Sequence, residues 1–192
     1  MRIILASGSP RRKELLSMFV PEFEVIVSKT DETLIEGLTP EDQVTRLAYL
    51  KAKSVYDNTD WDRIVIGSDT MVVKNNKIYG KPKSKEDAKQ MIKELLEGDK
   101  THYVITGLSV FIKDGDIEKE FKTYDKSKVY FGDISDEEID KWINSGKAMD
   151  KAGAYAVQDE FGVFIDRIEG NYSSVVGLPT HKLYEIIKDY IK

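Results

Sequence analysis

The sequence predicts an α/β fold on a mixed sheet, and three observations carry that expectation. Short apolar runs of strand character alternate irregularly with segments that open on helix caps. Two pairs of strand-like runs meet at tight polar turns, Asn75-Asn76 and Asp114-Gly115-Asp116, so part of the sheet is antiparallel. Elsewhere a helix separates one strand from the next, which calls for crossovers. No repeat, low-complexity tract or Gly/Ser linker interrupts the chain, so 1–192 is expected to form one domain.

Arg2 to Ser7 reads as the first strand. Ser9 stands as an N-cap with Pro10 at the first helical position, and Arg11 to Met18 follows as a helix. Phe23 to Val27 is strand-like. Thr39-Pro40-Glu41-Asp42, with acidic residues in its first turn, opens a helix to about Tyr56. Arg63 to Ser68 contains the buried-strand run Ile64-Val65-Ile66. Met71 to Lys74 and Lys77 to Tyr79 form a hairpin, and Ser84 starts a helix to about Glu97. His102 to Lys113 and Ile117 to Tyr130 form a second, longer hairpin. Ser135-Asp136-Glu137-Glu138 is a capping box whose helix stops at Gly146. Phe161 to Asp166 and Ser173 to Val176 read as short strands, and Thr180 to Ile191 as the last helix.

Hydrophobic residues at 41% and charged residues at 33% are an ordinary globular balance. No apolar run approaches the roughly 18 residues of a membrane span. The apolar run after Arg2 is cut off by Ser-Gly-Ser-Pro-Arg-Arg, which suits a first strand and not a secretory leader. The chain has no cysteine, so disulfides, thiolate metal sites and thiol nucleophiles are excluded; a cytoplasmic location is expected. A net charge of -5 speaks against broad binding to nucleic acid, although the cluster Arg11-Arg12-Lys13 suits a small anion.

Five segments carry chemistry. Strand, Ser7-Gly8-Ser9, then a helix opening at Pro10 is a recipe for an anion: free N–H groups and the positive helix end converge, and Arg11 and Arg12 add charge. The spacing is not that of a P-loop. Gly67-Ser68-Asp69-Thr70 puts a carboxylate at the carboxyl end of a buried strand, where it can ligate a cation, orient water or merely cap a turn. Lys81, held between Gly80 and Pro82, is either a point charge that reaches a phosphate or an ordinary solvated turn lysine. Asp31-Glu32 combines with Asp69 into an oxygen set of the kind Mg²⁺ or Mn²⁺ prefers; taken alone it is a solvated loop. Lys51 and Lys53 share one helix and are ambiguous. In Asp150-Lys151-Ala152-Gly153-Ala154-Tyr155-Ala156-Val157-Gln158, Tyr155 offers an aromatic surface, and the Gln158 amide matches the imide edge of uracil or thymine. His102 and His181 have no partner spacing and read as structural or exposed. No Gly-x-Ser-x-Gly elbow supports serine hydrolase chemistry.

In this order, Ser7 to Arg12, Gly67 to Thr70, Gly80-Lys81-Pro82, Asp150 to Tyr155 and Val176-Gly177-Leu178-Pro179 resemble the Maf family of nucleotide pyrophosphatases, over Leu5 to Pro179. The resemblance implies an elongated, two-lobed mixed α/β structure with a twisted sheet and a central cleft, similar to inosine triphosphate pyrophosphatases. It implies hydrolysis of a nucleoside triphosphate to monophosphate and pyrophosphate, a divalent metal cation (Mg or Mn), and a homodimer. The family's general base maps onto Asp69, its phosphate-handling residues onto Arg11, Arg12, Lys51 and Lys81, and its acidic metal-side residue onto Glu32. Ser7 belongs to the phosphate wall. Arg11, Thr70 and Gln158 match the branch acting on dTTP and UTP. Ser68, where many members have Ala, and Asp159-Glu160-Phe161 depart from the family pattern. Two rival readings are a pyrophosphatase for purine or modified nucleotides and a nucleotide-binding regulator of cell division.

Overall fold

A computed structural model describes residues 1–191; Lys192, the last position of the expected 1–192 domain, lies outside the described residues. The chain runs β1 (Arg2–Leu5), α1 (Pro10–Ser17), β2 (Glu24–Val25), α2 (Pro40–Tyr56), β3 (Arg63–Lys74) and β4 (Lys77–Tyr79). It continues through α3 (Lys85–Leu96), β5 (Thr101–Asp114), β6 (Ile117–Phe131) and α4 (Asp136–Asn144). Two short 3-10 turns, Ala152–Ala154 and Glu160–Phe164, precede β7 (Ile165–Glu169), α5 (Tyr172–Val176) and α6 (Thr180–Ile187).

The sheet is mixed, as expected. Its order is β2-β1-β3-β5-β6-β7, with β4 pairing to β3 off that path. β1 runs parallel to both β2 and β3, whereas β3–β4 and β6–β7 are antiparallel. Asn75 and Asn76 both take positive φ (50° and 62°), as a two-residue hairpin turn requires.

The caps explain where helices begin. Thr39 Oγ1 accepts from Asp42 N at 3.1 Å and Ser84 Oγ from Asp87 N at 3.1 Å. The Ser135–Glu138 capping box closes in both directions. Each such cap stabilises by about 1 kcal/mol. Ser9 differs: it holds the N-cap position of α1 without a side-chain cap, and its N–H instead donates to Ser7 Oγ at 3.3 Å.

Four expectations are corrected. Arg63–Ser68 and Met71–Lys74 are one continuous twelve-residue strand, so Asp69 lies within β3 and not at its end. Ser173 to Val176 is helical, because Asn171 Oδ1 accepts from Ser173 N (2.9 Å) and Ser174 N (3.4 Å) and starts a turn. Phe161 to Phe164 is a 3-10 turn tightened by Gly162 N donating to Asp159 O at 2.8 Å, and the strand begins at Ile165. The last helix ends at Ile187.

The chain divides into two compact units, and the division falls inside β3, β5 and β6. The first comprises Met1–Asp69, Thr106–Asp125 and the residues from Gly177 on. One cluster of its core joins Ile4, Ala6, Ala52, Val55, Val65 and Phe111, with Tyr49 and Tyr56 packed on it. The second comprises Thr70–Ile105 and Lys126–Val176. Its core is aromatic: Phe131, Trp142, Tyr155 and Phe161 pack with Ile92, Leu95 and Ile139.

Two glycines in the first unit bring α2 onto the strands at backbone distance. A Cβ on Gly67 would stand 2.3 Å from Ala48 O and 2.7 Å from Ala52 N. A Cβ on Gly107 would stand 2.4 Å from Val44 O. Gly67 therefore marks a close approach within the strand. Gly67 and Asp69, two residues apart, share one face of β3.

Candidate active site

That close approach places the first group of side chains. Lys51 lies on α2 between Ala48 and Ala52, the two residues against Gly67. Its ammonium donates to Asp69 Oδ1 at 2.6 Å and pairs with Glu32 Oε2 at 3.0 Å. Lys51 is 7% exposed and Asp69 8%, so this ion pair is largely desolvated; the Glu32 carboxylate stays open to water. The ambiguity between the two helix lysines is resolved. Lys53 is partly exposed and pairs with Asp57, four residues on.

The adjacent acids also part company. Asp31 Oδ1 accepts from Thr33 N (2.9 Å) and Thr33 Oγ1 (2.5 Å). The hydroxyl bond first, then the backbone bond, holds the Asp31 carboxyl below its usual range. Asp31 thus shapes the loop, and Glu32 alone of the pair reaches Lys51. The loop is pinned to α2 by buried Gln43, whose amide donates to Ile35 O and accepts from Ile35 N at 3.2 Å. Arg46 Nη1 donates to Thr33 O at 3.2 Å. Neither Gln43 nor Arg46 carries a motif that would have marked it.

The N-terminal loop contributes the second group. Ser7 is buried, and its Oγ accepts from Arg12 Nη1 at 3.1 Å. Arg12 Nε donates to the Gly177 carbonyl at 2.8 Å. The same carbonyl lies 3.0 Å from the Ser68 hydroxyl, which also lies 2.8 Å from Gly107 O. Gly177 has φ of +134°, a conformation that favours glycine. One carbonyl therefore joins the N-terminal loop, the strand residue before Asp69 and the Val176–Pro179 segment. Burial lowers the Arg12 pKa; the Asp69 charge opposes this, Arg11 adds to it, and Glu32 opposes it. A guanidinium keeps its proton throughout. Half-buried Arg11 sits beside Arg12 in the first turn of α1. Ser7, Arg11, Arg12, Glu32, Lys51 and Asp69 all belong to the first unit.

Thr70, Lys81 and Gln158 belong to the second. Thr70 is half-buried on β3, next in the chain to Asp69. Lys81 is exposed in the loop after β4, and that loop is fixed by Gly153 N donating to Gly80 O at 3.0 Å. Gly153, with φ of +66°, stands where a Cβ would meet the Val72 side chain at 3.0 Å. Trp142 Nε1 donates to Ala154 O at 2.8 Å. Gln158 is exposed on the segment that follows.

Two findings here lay outside the sequence reading. Lys151 is 7% exposed, and its ammonium meets Lys147 O (2.6 Å), Asp150 Oδ1 (2.7 Å) and Asp159 Oδ2 (3.2 Å). It brackets the segment ending at Gln158. Tyr155, expected to offer an aromatic surface, is instead buried. Its hydroxyl lies 2.6 Å from His102 Nε2, and its ring packs on Phe131 and Phe161. Burial raises the Tyr155 pKa and pulls that of His102 down to about 3. His102 is structural and His181 exposed, as expected. Among the described residues no three His, Asp or Glu side chains converge as a metal-binding group, and no helix is long and apolar enough to cross a membrane.

The sequence profile described as Maf-like protein matches residues 2–190. A protein of Lachnoclostridium phytofermentans named dTTP/UTP pyrophosphatase is 46% identical over 190 residues, covering 98% of this chain and 95% of that protein. A Bacillus anthracis protein of the same name is 44% identical over 189 residues, with the same coverage. Among solved structures, a HAM1 protein from Coxiella burnetii aligns with a TM-score of 0.51 at 11% identity, over 98% of this chain and 99% of that one; the likeness is of fold alone.

Proposed function

The chain belongs to the Maf family, and on that premise we propose that it is a nucleoside triphosphate pyrophosphatase converting dTTP and UTP to the monophosphate and pyrophosphate. The observation that carries this reading is buried Asp69 held on Lys51 Nζ at 2.6 Å in the unit that also holds the Ser7–Arg12 anion loop. Two relatives of more than 40% identity bear the corresponding name.

In this reading Asp69 is the general base. One of its oxygens, Oδ1, accepts from Lys51 in the free protein, and Oδ2 is assigned to a water that attacks the α-phosphorus in line. The water's proton passes to Asp69, the bond to the bridging oxygen breaks, and pyrophosphate leaves. A positioned base contributes about 10²–10⁴-fold. Fixed positive charge on the phosphates supplies much of the remainder. That charge is assigned to Arg11, Arg12, Lys51 and Lys81. Ser7 holds Arg12, and Thr70 and Gln158 are assigned to the base.

Glu32 and Asp69 suit Mg²⁺ or Mn²⁺, hard ions that use one or two protein carboxylates and complete their shell with water and phosphate. The two carboxylates meeting on one ammonium are such a pair. A bound ion would neutralise phosphate charge there. We further assign the protein to the cytoplasm and to a homodimer, which light scattering behind size exclusion checks.

The deciding experiment incubates the protein with common and modified nucleotides and Mg²⁺ or Mn²⁺, then resolves the products. Monophosphate plus pyrophosphate from dTTP and UTP is expected. Diphosphate plus orthophosphate refutes the chemistry, a preference for purine or modified nucleotides refutes the base assignment, and no turnover refutes the enzyme.

A further inference from the structure

We infer that Lys51 is a resident counter-cation that keeps a divalent ion off Glu32 and Asp69 until a nucleotide arrives. The inference rests on the metal-side assignment of those two acids above.

Lys51 Nζ already contacts the carboxylate oxygens such an ion would take, Asp69 Oδ1 at 2.6 Å and Glu32 Oε2 at 3.0 Å. In the free protein the ammonium stays at these two acceptors, on a side chain 7% exposed and a helix whose backbone lies against Gly67 and Gly107. Gln43 and Arg46 tie the loop that carries Glu32 to the same helix, while the Glu32 carboxylate stays open to water. Asp31 Oδ1 is engaged by Thr33. Arg12 lies in the field of both carboxylates as well.

Two negative charges are therefore already balanced. An ion entering the bare site must approach carboxylate oxygens at about 2.0–2.1 Å, against an ammonium that touches both. A triphosphate changes this balance: it brings negative charge, gives the Lys51 ammonium other acceptors, and frees both carboxylates. Metal and nucleotide then bind with positive coupling, and the coupling is reciprocal.

The test measures free Mn²⁺ by electron paramagnetic resonance during titration of the full chain, with and without the non-hydrolysable analogue α,β-methylene-UTP. Lys51→Met replaces the ammonium by an apolar side chain of similar length. Wild type is expected to bind Mn²⁺ at least about tenfold more tightly with the analogue than without it. Lys51→Met is expected to bind Mn²⁺ alone at least about tenfold more tightly than wild type does alone, and the double variant with Asp69→Asn loses that gain. Should Lys51→Met be unstable, Mn²⁺ alone is expected to raise its melting temperature more than that of wild type, and Lys51→Gln serves as a second variant. Unchanged or weaker Mn²⁺ binding in both lysine variants overturns the counter-cation role. If Asp69→Asn also leaves analogue-dependent binding intact in the wild-type background, the metal-side assignment fails with it.

Discussion

Two lysines of this chain are equally buried, 7% exposed each, and each faces two carboxylates, yet they are built for different ends. Lys151 satisfies itself locally: Lys147 O, Asp150 and Asp159 are all within eight residues, and together they match the three N–H donors of an ammonium. Lys51 gathers its partners from afar, one from the loop before its own helix and one from the middle of a strand 18 residues on. The first arrangement saturates the cation and closes a short segment. The second brings two acids together on a single ammonium, with one of them open to solvent. A saturated buried ion pair is a staple, whereas a shared one is a place where another cation or a phosphate can intervene.

The sharpest way to break this contrast is Asp69→Asn. Turnover of UTP, followed as pyrophosphate release, is expected to fall by at least about 10²-fold, with the circular dichroism spectrum retained. Near-normal turnover would remove the functional half of the comparison. Lys151→Met should act on stability instead. Losing a donor to Lys147 O and Asp159 costs about 1–3 kcal/mol, to which two-thirds-exposed Asp150 adds little. Urea unfolding measures that loss. A variant that keeps its midpoint but loses turnover would reverse the two roles.

Acid titration separates the regions further. His102 is held neutral by burial, with a pKa of about 3 against 6.5 in the unfolded chain, and its Nδ1 has no hydrogen-bond partner among the described residues. Between those values the unfolded state binds the extra proton, so stability is full above pH 6.5 and declines as pH falls toward 3. The slope from this group is up to about a kcal/mol per pH unit. Denaturant midpoints across that window should flatten in His102→Gln; an unchanged slope would place the acid sensitivity elsewhere. The smallest effect belongs to Lys53→Ala. Its exposed pairing with Asp57 carries no function here, so turnover and melting temperature are expected to stay at wild-type values.

Local signals were legible wherever a side chain speaks to its own backbone. Thr39, Ser84 and Ser135 all cap as their neighbours imply, and the Asn75-Asn76 turn takes the φ values that asparagine tolerates. Ser9 shows the limit: it holds the N-cap position, yet its side chain makes no cap. Gly67 was read as a strand end, whereas the helix pressed against it requires glycine in a strand that runs on to Lys74. Nothing within the strand announces a helix from elsewhere. The Ser173 to Val176 segment reads as a strand by sequence, whereas the Asn171 side chain upstream starts a helical turn. For the candidate site, residue types were legible and their pairing was not. Lys51 and Lys53 differ only in which way α2 faces, and Asp31 and Glu32 only in which one Thr33 captures. Tyr155 reads as an aromatic surface by sequence; His102, 53 residues away, gives its hydroxyl a partner in the core.

The Gly177 carbonyl that anchors Arg12 comes 165 residues after it. At ribosomal speeds of about 5–20 residues per second, the arginine emerges roughly 10–30 s before its anchor is made. Glu32, Lys51 and Asp69 are synthesised within that interval, and Ser7, the other partner of Arg12, is made before it. The Arg12–Gly177 bond therefore cannot form before residue 177 has been made. A chain stalled before Gly177 carries Arg12 with Ser7 but without this carbonyl.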